Sequence, residues 1–306
     1  MSLTLIAVVI ALIVGHTMPT LAALRRYDWF IGWLDWLRIQ AGDNEAGRTR
    51  WALVLALLPP LLLVLLLQLG LRDGLYGLPY FVFALVTLFY AWGPRDLDHD
   101  VEAVVDARDS ESRRTAATRL FPERVQPSLE GPALVEAVFR CALWRWFGVL
   151  FWFLLLGPVG ALLYRLVALC AQGEARKRLP DDAAQAASTL LTLLDWPVAQ
   201  LMTLALALVG NFDSVLSAWK DAGGAAFKRD TSFLGAAARA SVKSELAEEA
   251  MDYVDTETES GIPNTSAVVM QLGELPELRD AMSLAWRILL LWLAVLALFV
   301  IAGWVA

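Results

Sequence analysis

The sequence predicts an all-α fold: a polytopic helical membrane protein with interrupted helices and helical cytoplasmic regions. Three observations lead there. Hydrophobic residues make up 58% of the 306-residue chain and charged ones 19%, with mean hydropathy +0.55, whereas soluble domains carry about 45–50% apolar and about 25% charged residues. The charges are clustered, which leaves long uncharged runs. Several of those runs approach the roughly 20 apolar residues a helix needs to cross a hydrocarbon core about 30 Å thick. The same composition excludes other classes. A disordered regulator needs low hydrophobicity, and a disulfide scaffold needs dense cysteine. Here Cys141 and Cys170 lie in or beside apolar runs, as inert buried thiols do. With 25 basic against 32 acidic residues, net charge −7 and pI about 5.0, there is no positive excess to grip nucleic acid.

Each segment follows from this. Residues 2–14 are short but uncharged; they lack the basic start of a signal peptide, and Arg25 and Arg26 follow them. They read as a retained span with its N-terminus outside. Residues 51–71 are the clearest span, and 75–92 follow after only Arg72, Asp73 and Gly74, as a helical hairpin. Residues 143–172 are mixed, broken by Gly157-Pro158-Val159-Gly160 and carrying Arg145 and Arg165. Residues 190–210 hold Asp195 and are expected to break at Pro197. Residues 288–306 close the chain. If all six cross, Arg72, Arg176, Lys177 and Arg178 lie outside and most other basic residues inside. If 143–172 and 190–210 instead re-enter, Arg176–Arg178 also move inside and the bias strengthens. Hydropathy leaves both layouts open.

The organisation is then residues 1–92, N-terminal membrane helices with an interfacial helix near 29–40; 93–142, a cytoplasmic helical region; 143–210, the broken membrane segments; 211–284, a second cytoplasmic helical region; and 285–306, a final span. Trp29, Trp33 and Trp36 share one helical face between Arg25, Arg26 and Arg38, which suits a helix lying in the cytoplasmic headgroup layer. Asp96, Asp98 and Asp100 fall at a helix start, where acids are favoured, and Val101, Val104 and Val105 offer it a buried face. The acidic run from Glu245 to Glu259 reads as a solvated helix leading into a loop at 261–264.

Little chemistry is available. Only His16 and His99 are present, and no phosphate-binding glycine loop occurs. Asp96, His99 and Asp100, at i, i+3 and i+4, could face a divalent cation, or simply form an acidic helix start with a solvated histidine. Arg165 lies in an apolar stretch just after the break. Charge at membrane depth is costly and turns to a cavity or a partner. Arg165 therefore either snorkels, pairs with Asp195, or meets an anionic ligand.

The run Gly157-Pro158-Val159-Gly160-Ala161-Leu162-Leu163-Tyr164-Arg165, then Leu194-Asp195-Trp196-Pro197, then Ala207-Leu208-Val209-Gly210 with Trp219 after it, resembles the AmpE family. Those are bacterial inner-membrane proteins tied to β-lactamase induction, within the CobD/CbiB superfamily. The polar stretch Gly93–Asp100 and the last span after Arg279-Asp280-Ala281-Met282-Ser283 fit the same layout, so the resemblance covers nearly the whole chain. It implies a multi-pass protein of the bacterial inner membrane, a sensor or transducer role in the antibiotic response and cell-wall recycling, and a regulatory protein partner. It also implies a membrane cavity in which Arg165, Tyr164, Gly157, Gly160 and Asp195 meet a cell-wall fragment or an anionic lipid, with no cofactor beyond a possible divalent cation.

The enzymatic branch, CobD/CbiB, joins an aminopropanol-type amine to cobyric acid. Its members carry a lysine, an asparagine and an aspartate–serine pair along the helix after the break. Arg165, Ala168, Ala171 and Gln172 stand in those places here, and the upstream polar helix is replaced by Arg140-Cys141-Ala142-Leu143-Trp144-Arg145-Trp146. Alanine cannot orient an amide or hold a cation, so the departure points away from retained ligase chemistry and leaves ligand binding open. The alternatives are a cobinamide-synthase-like amide-forming enzyme, with Asp96, His99 and Asp100 on a metal, and a passive membrane scaffold.

Overall fold

The computed structural model describes residues 6–12, 25–41, 51–72, 78–93, 96–122, 125–226, 230–258 and 275–302. Among them there is no strand. The helices are α1 (6–12), α2 (Asp28–Ala41), α3 (Ala52–Leu71), α4 (Leu78–Ala91), α5 (Leu97–Val105), α6 (Ser110–Ala117), α7 (Gly131–Ala142), α8 (Gly148–Leu156), α9 (Pro158–Gln172), α10 (Asp181–Val209), α11 (Phe212–Asp221), α12 (Ser232–Thr258) and α13 (Pro276–Ile301). A π-turn at Leu143–Phe147 joins α7 to α8, and a 3₁₀ turn, Glu174–Arg178, follows α9. Among the described residues, four stretches are long and apolar enough to cross a bilayer: α3, α7–α8 (Gly131–Leu156), α10 and α13; α4 and α9 are shorter apolar helices. The chain is an all-α polytopic membrane protein.

Three expected spans have other bounds. The helix of the third polar-flanked segment begins at Gly131, α10 begins at Asp181, and α13 begins at Pro276. In each case polar residues that hydropathy assigned to a flanking region extend the same helix. Pro197 does not break α10, nor do Pro59 and Pro60 break α3. A proline removes one backbone donor from a helix and leaves the carbonyl four residues earlier exposed. The structure supplies indoles near both places. Trp33 Nε1 donates at 3.3 Å to Ala56 O, the carbonyl that Pro60 cannot serve, and Trp152 Nε1 donates at 3.2 Å to Leu194 O, next to the one freed by Pro197. The expected loop at 261–264, and the ends of the first and last spans, lie outside the described residues.

The chain divides into two compact units: residues 1–96, 144–198 and 293–306, and residues 97–143 and 199–292. In the first, residues 143–172 are a hairpin, not a single crossing. Gly157 has φ +75°, a conformation glycine adopts without strain, and the chain reverses there. Tyr164 packs directly on Gly148, and the main chain of Trp152 lies against Gly160, so contacts pair off on either side of residue 156. Neither glycine can take a side chain without displacing these neighbours. Small residues at such crossings are how membrane helices approach closely. The returning arm ends beside α2, where Arg178 grips Asp35 with two 2.8 Å hydrogen bonds. Arg178 and α2 therefore share one side of this unit.

In the second unit, α12 packs against α7 and α11, and α5 packs against α6 and α7. Glu136 on α7 pairs with Arg239 on α12, Glu245 pairs with Arg287 at 2.9 Å, and Trp286 Nε1 donates to Asp98 at 2.8 Å. Gln200 receives Trp219 Nε1 at 2.9 Å and donates to Gly224 O at 2.8 Å. Asp109 and Asn211 cap α6 and α11 by accepting from Ser112 N and Ser214 N.

Candidate functional site

The helix break is the most elaborated point of the first unit. A chain reversal inside a bilayer leaves a carbonyl at the end of one helix and an N–H at the start of the next, and no water is there to meet them. Gln68, the one amide side chain in the leucine-rich α3, meets both. Its Nε2 donates to Leu156 O at 3.1 Å, and its Oε1 accepts from Val159 N at 3.1 Å. Gly157 lies against that amide, so a Cβ there would meet Gln68 Nε2 at 3.0 Å. Nothing in the hydropathy of 51–71 marks Gln68 except its being polar in an apolar run.

Two turns down the returning arm, α9 buries Tyr164 and Arg165. Tyr164 Oη donates to Asp195 Oδ1 at 2.6 Å, and Trp144 Nε1 donates to Asp195 Oδ2 at 2.9 Å. Trp144 belongs to the π-turn, a device that commonly rotates side chains into functional positions. Asp195, 4% exposed, thus has a donor on each oxygen. The expected pairing of Arg165 with Asp195 is not what the geometry displays. Arg165 Nε donates to Ala91 O at 2.6 Å, and Nη2 reaches Trp144 O at 3.5 Å.

A second guanidinium lies close by. Arg25, 6% exposed, donates through Nη1 to Gly93 O at 2.9 Å and lies 4.3 Å above the Phe89 ring. Its buried Nε has no hydrogen-bond partner. Burial first, and then the neighbouring Arg165, push the Arg25 guanidinium below its ordinary value, while Asp96 acts in the opposite direction. Both arginines end on carbonyls where α4 terminates, the negative pole of that helix. Tyr27 closes the cluster: its hydroxyl donates to Tyr90 O at 2.7 Å, and burial pushes it above its usual value.

The structure therefore gathers Tyr164 and Asp195 directly, keeps Arg165 beside them on other partners, and leaves Gly157 and Gly160 at the turn under Gln68. Sequence reasoning missed the roles of Gln68, Arg25 and the indole of Trp144. Asp96, His99 and Asp100 are not brought together as a metal site: among the described residues no group of three or more candidate ligands is placed to hold a metal ion. Asp100 is buried with Arg119 at 3.9 Å, whereas the exposed His99 faces Glu102 at 3.9 Å. A helix places i and i+4 on one face, but burial of Asp100 turns that face inward and leaves His99 at its edge.

The chain is similar to a cobalamin biosynthesis protein. That relative, "Cobalamin biosynthesis protein CobD" of Stutzerimonas stutzeri (strain A1501), is 32% identical over 186 residues, 58% of this chain and 59% of the relative. The chain thus matches somewhat over half the length of that curated relative. No family model matches the chain, and no solved structure matches it. The likeness supports the CobD/CbiB superfamily expected from the motif order. The narrower AmpE assignment draws no support from it.

Proposed function

We propose that this chain is a membrane protein of the CobD/CbiB superfamily that binds a carboxylate-bearing ligand of the cobyric-acid type beside its helix break. One observation carries the reading. In a chain 32% identical over 186 residues to a cobalamin biosynthesis protein, the place where the amide-forming branch has a lysine holds Arg165, 5% exposed and next to the equally buried Arg25. Two buried guanidiniums need negative charge nearby, and a carboxylate matches their fork of donors. Arg165, Tyr164 and Asp195 form the ligand's surroundings, with Gly157 and Gly160 allowing the close-packed turn above them. In this reading the protein resides in the bacterial inner membrane with its polar regions cytoplasmic, and forming the amide requires a nucleotide and a divalent cation supplied with the substrate.

The experiment incubates the purified protein with a cobyric-acid-type corrinoid, an aminopropanol-type amine, Mg²⁺ and nucleotide, and follows both binding and product. Binding that is lost in Arg165→Ala and kept in wild type supports the reading, whether or not product forms. No binding by the wild-type protein removes it.

A second reading, an AmpE-type regulator of β-lactamase induction and cell-wall recycling, is favoured by a specific observation. Ala168 and Ala171 stand where the enzymatic branch carries polar side chains, and Ala171 is 2% exposed in close packing. Cell-wall fragments also carry carboxylates, so the same arginines would serve, and a regulatory protein would receive the signal. Deleting the gene and measuring induction by a β-lactam separates the readings: altered induction with intact corrinoid synthesis favours regulation, and the reverse favours cobalamin assembly.

A further inference from the structure

The first unit carries a cleft of about 770 Å³ whose walls include neither Arg25 nor Arg165, formed by Trp29 and Trp33 of α2, Pro60 and Leu63 of α3, Val86 of α4, and Leu162 of α9. Its volume lies within the roughly 300–1,000 Å³ typical of ligand sites. We propose that this cleft holds an acyl chain of a bilayer phospholipid, as a bound component and not as passing solvent. The proposal does not depend on the function given above.

Three features select that occupant. First, the cleft opens sideways where the protein meets hydrocarbon. Leu63 is 62% exposed and Val86 59% exposed, and α3, the most apolar of the four long stretches, has only 17% of its spanning window buried. Only lipid is adjacent to such walls in a membrane. Second, the cleft is graded. Its α3 wall is aliphatic, whereas beside α2 lies a chain of polar contacts: Trp29 Nε1 donates to Tyr90 Oη, which donates to Arg26 O, both at 2.6 Å. Indole and phenol groups sit at headgroup depth. A molecule with a long apolar tail and a polar end fits that gradient. Third, the charge beside α2 suits a phosphate. Arg26 is exposed, held 2.8 Å from the equally exposed Asp28, so its guanidinium has donors left for a lipid phosphate.

Pro59 and Pro60 line the cleft and remove two donors from α3, and Trp33 on the α2 wall donates to the freed Ala56 carbonyl.

The test uses full-length protein in nanodiscs that contain a phospholipid with a photoactivatable group along one acyl chain. Cross-links are mapped by mass spectrometry, and lipid retained after transfer to detergent is counted by native mass spectrometry. The proposal expects cross-links concentrated at Leu63 and Val86 and a phospholipid retained in detergent. Leu63→Trp, which fills the cleft, should lose that lipid and those cross-links, while Leu298→Trp, on an exposed apolar position of α13, should lose neither. Cross-links spread equally over Leu62 and Leu66, with no retained lipid, would mean annular lipid alone and overturn it. A disulfide formed between two copies of Leu63→Cys, with no lipid cross-link there, would assign the cleft to a second copy and overturn it equally. If Leu63→Trp fails to fold, Val86→Trp fills the same space from the opposite wall.

Discussion

Gln68 is bound to Leu156 across 88 residues of sequence by a 3.1 Å hydrogen bond from its side-chain amide to the Leu156 carbonyl. The same amide receives Val159 N–H, so one side chain on α3 replaces the backbone ladder on both sides of the Gly157 reversal. Within a bilayer this matters more than in water, because an unmet peptide group has no solvent to turn to. The hairpin, and with it the depth at which Tyr164 and Arg165 are held, depends on that amide.

Gln68→Leu keeps the apolar character of α3 and removes both caps. Each backbone group left buried and unpaired costs about 1–3 kcal/mol, so the variant should lose about 2–6 kcal/mol of stability. Thermal unfolding in detergent, followed by tryptophan fluorescence, measures it. A melting temperature equal to wild type would mean that the turn does not need Gln68.

Trp33 and Pro60 should be coupled. Trp33→Phe removes the donor to Ala56 O and should cost about 1 kcal/mol. Pro60→Ala restores a backbone N–H that can serve the same carbonyl. In a double-mutant cycle the tryptophan change should therefore cost much less in the Pro60→Ala background. Additive effects would show that the 3.3 Å contact contributes nothing.

The fold class was legible in the sequence because bilayer thickness imposes a length on uncharged runs that composition alone exposes. The break was legible too: Gly157 was singled out, and its φ of +75° explains why. What could not be read were contacts that join distant residues. Arg165 and Asp195 looked like an ion pair because both are charged residues in apolar segments. The structure instead gives the carboxylate to Tyr164 and Trp144 and the guanidinium to the carbonyls of Ala91 and Trp144, an arrangement set by helix packing. Pro197 misled for a related reason. Propensity predicts a stop, but α10 runs through Pro197 unbroken, with the Trp152 indole on the adjacent Leu194 carbonyl. Likewise Asp96, His99 and Asp100 share a helical register without sharing surroundings.

Asp109 gives a pH prediction in the second unit. Its carboxylate accepts from Ser112 N at 2.9 Å and from Ser112 Oγ at 2.7 Å. The backbone bond, then the hydroxyl bond, hold its pKa below the ordinary aspartate value. A lowered folded-state pKa means that the cap's contribution is complete above the ordinary aspartate range and is lost as pH falls through the lowered value. Amide exchange at Ser112, corrected for intrinsic rates, should therefore lose protection at acid pH in wild type and be weak at every pH in Asp109→Ala. Protection that does not change with pH in the wild type would deny the carboxylate this role.

The bidentate Arg178–Asp35 contact predicts that the turn at 174–178 and α2 lie on the same side of the membrane. If residues 143–172 crossed once, the turn at 174–178 would lie across the bilayer from α2, and no side chain could bridge it. The hairpin at Gly157 brings the chain back, and Arg178 reaches Asp35 at 2.8 Å. Single cysteines test this. Cys141 and Cys170 are buried, which leaves little background. Ile39→Cys on α2, where the side chain is 76% exposed, and Lys177→Cys on the 3₁₀ turn, exposed beside Glu174, keep the Arg178–Asp35 pair intact. In sealed vesicles of one orientation, a membrane-impermeant maleimide should label both or neither. Labelling of one alone would place the turn across the membrane from α2 and show that the arms of the hairpin are not joined as described.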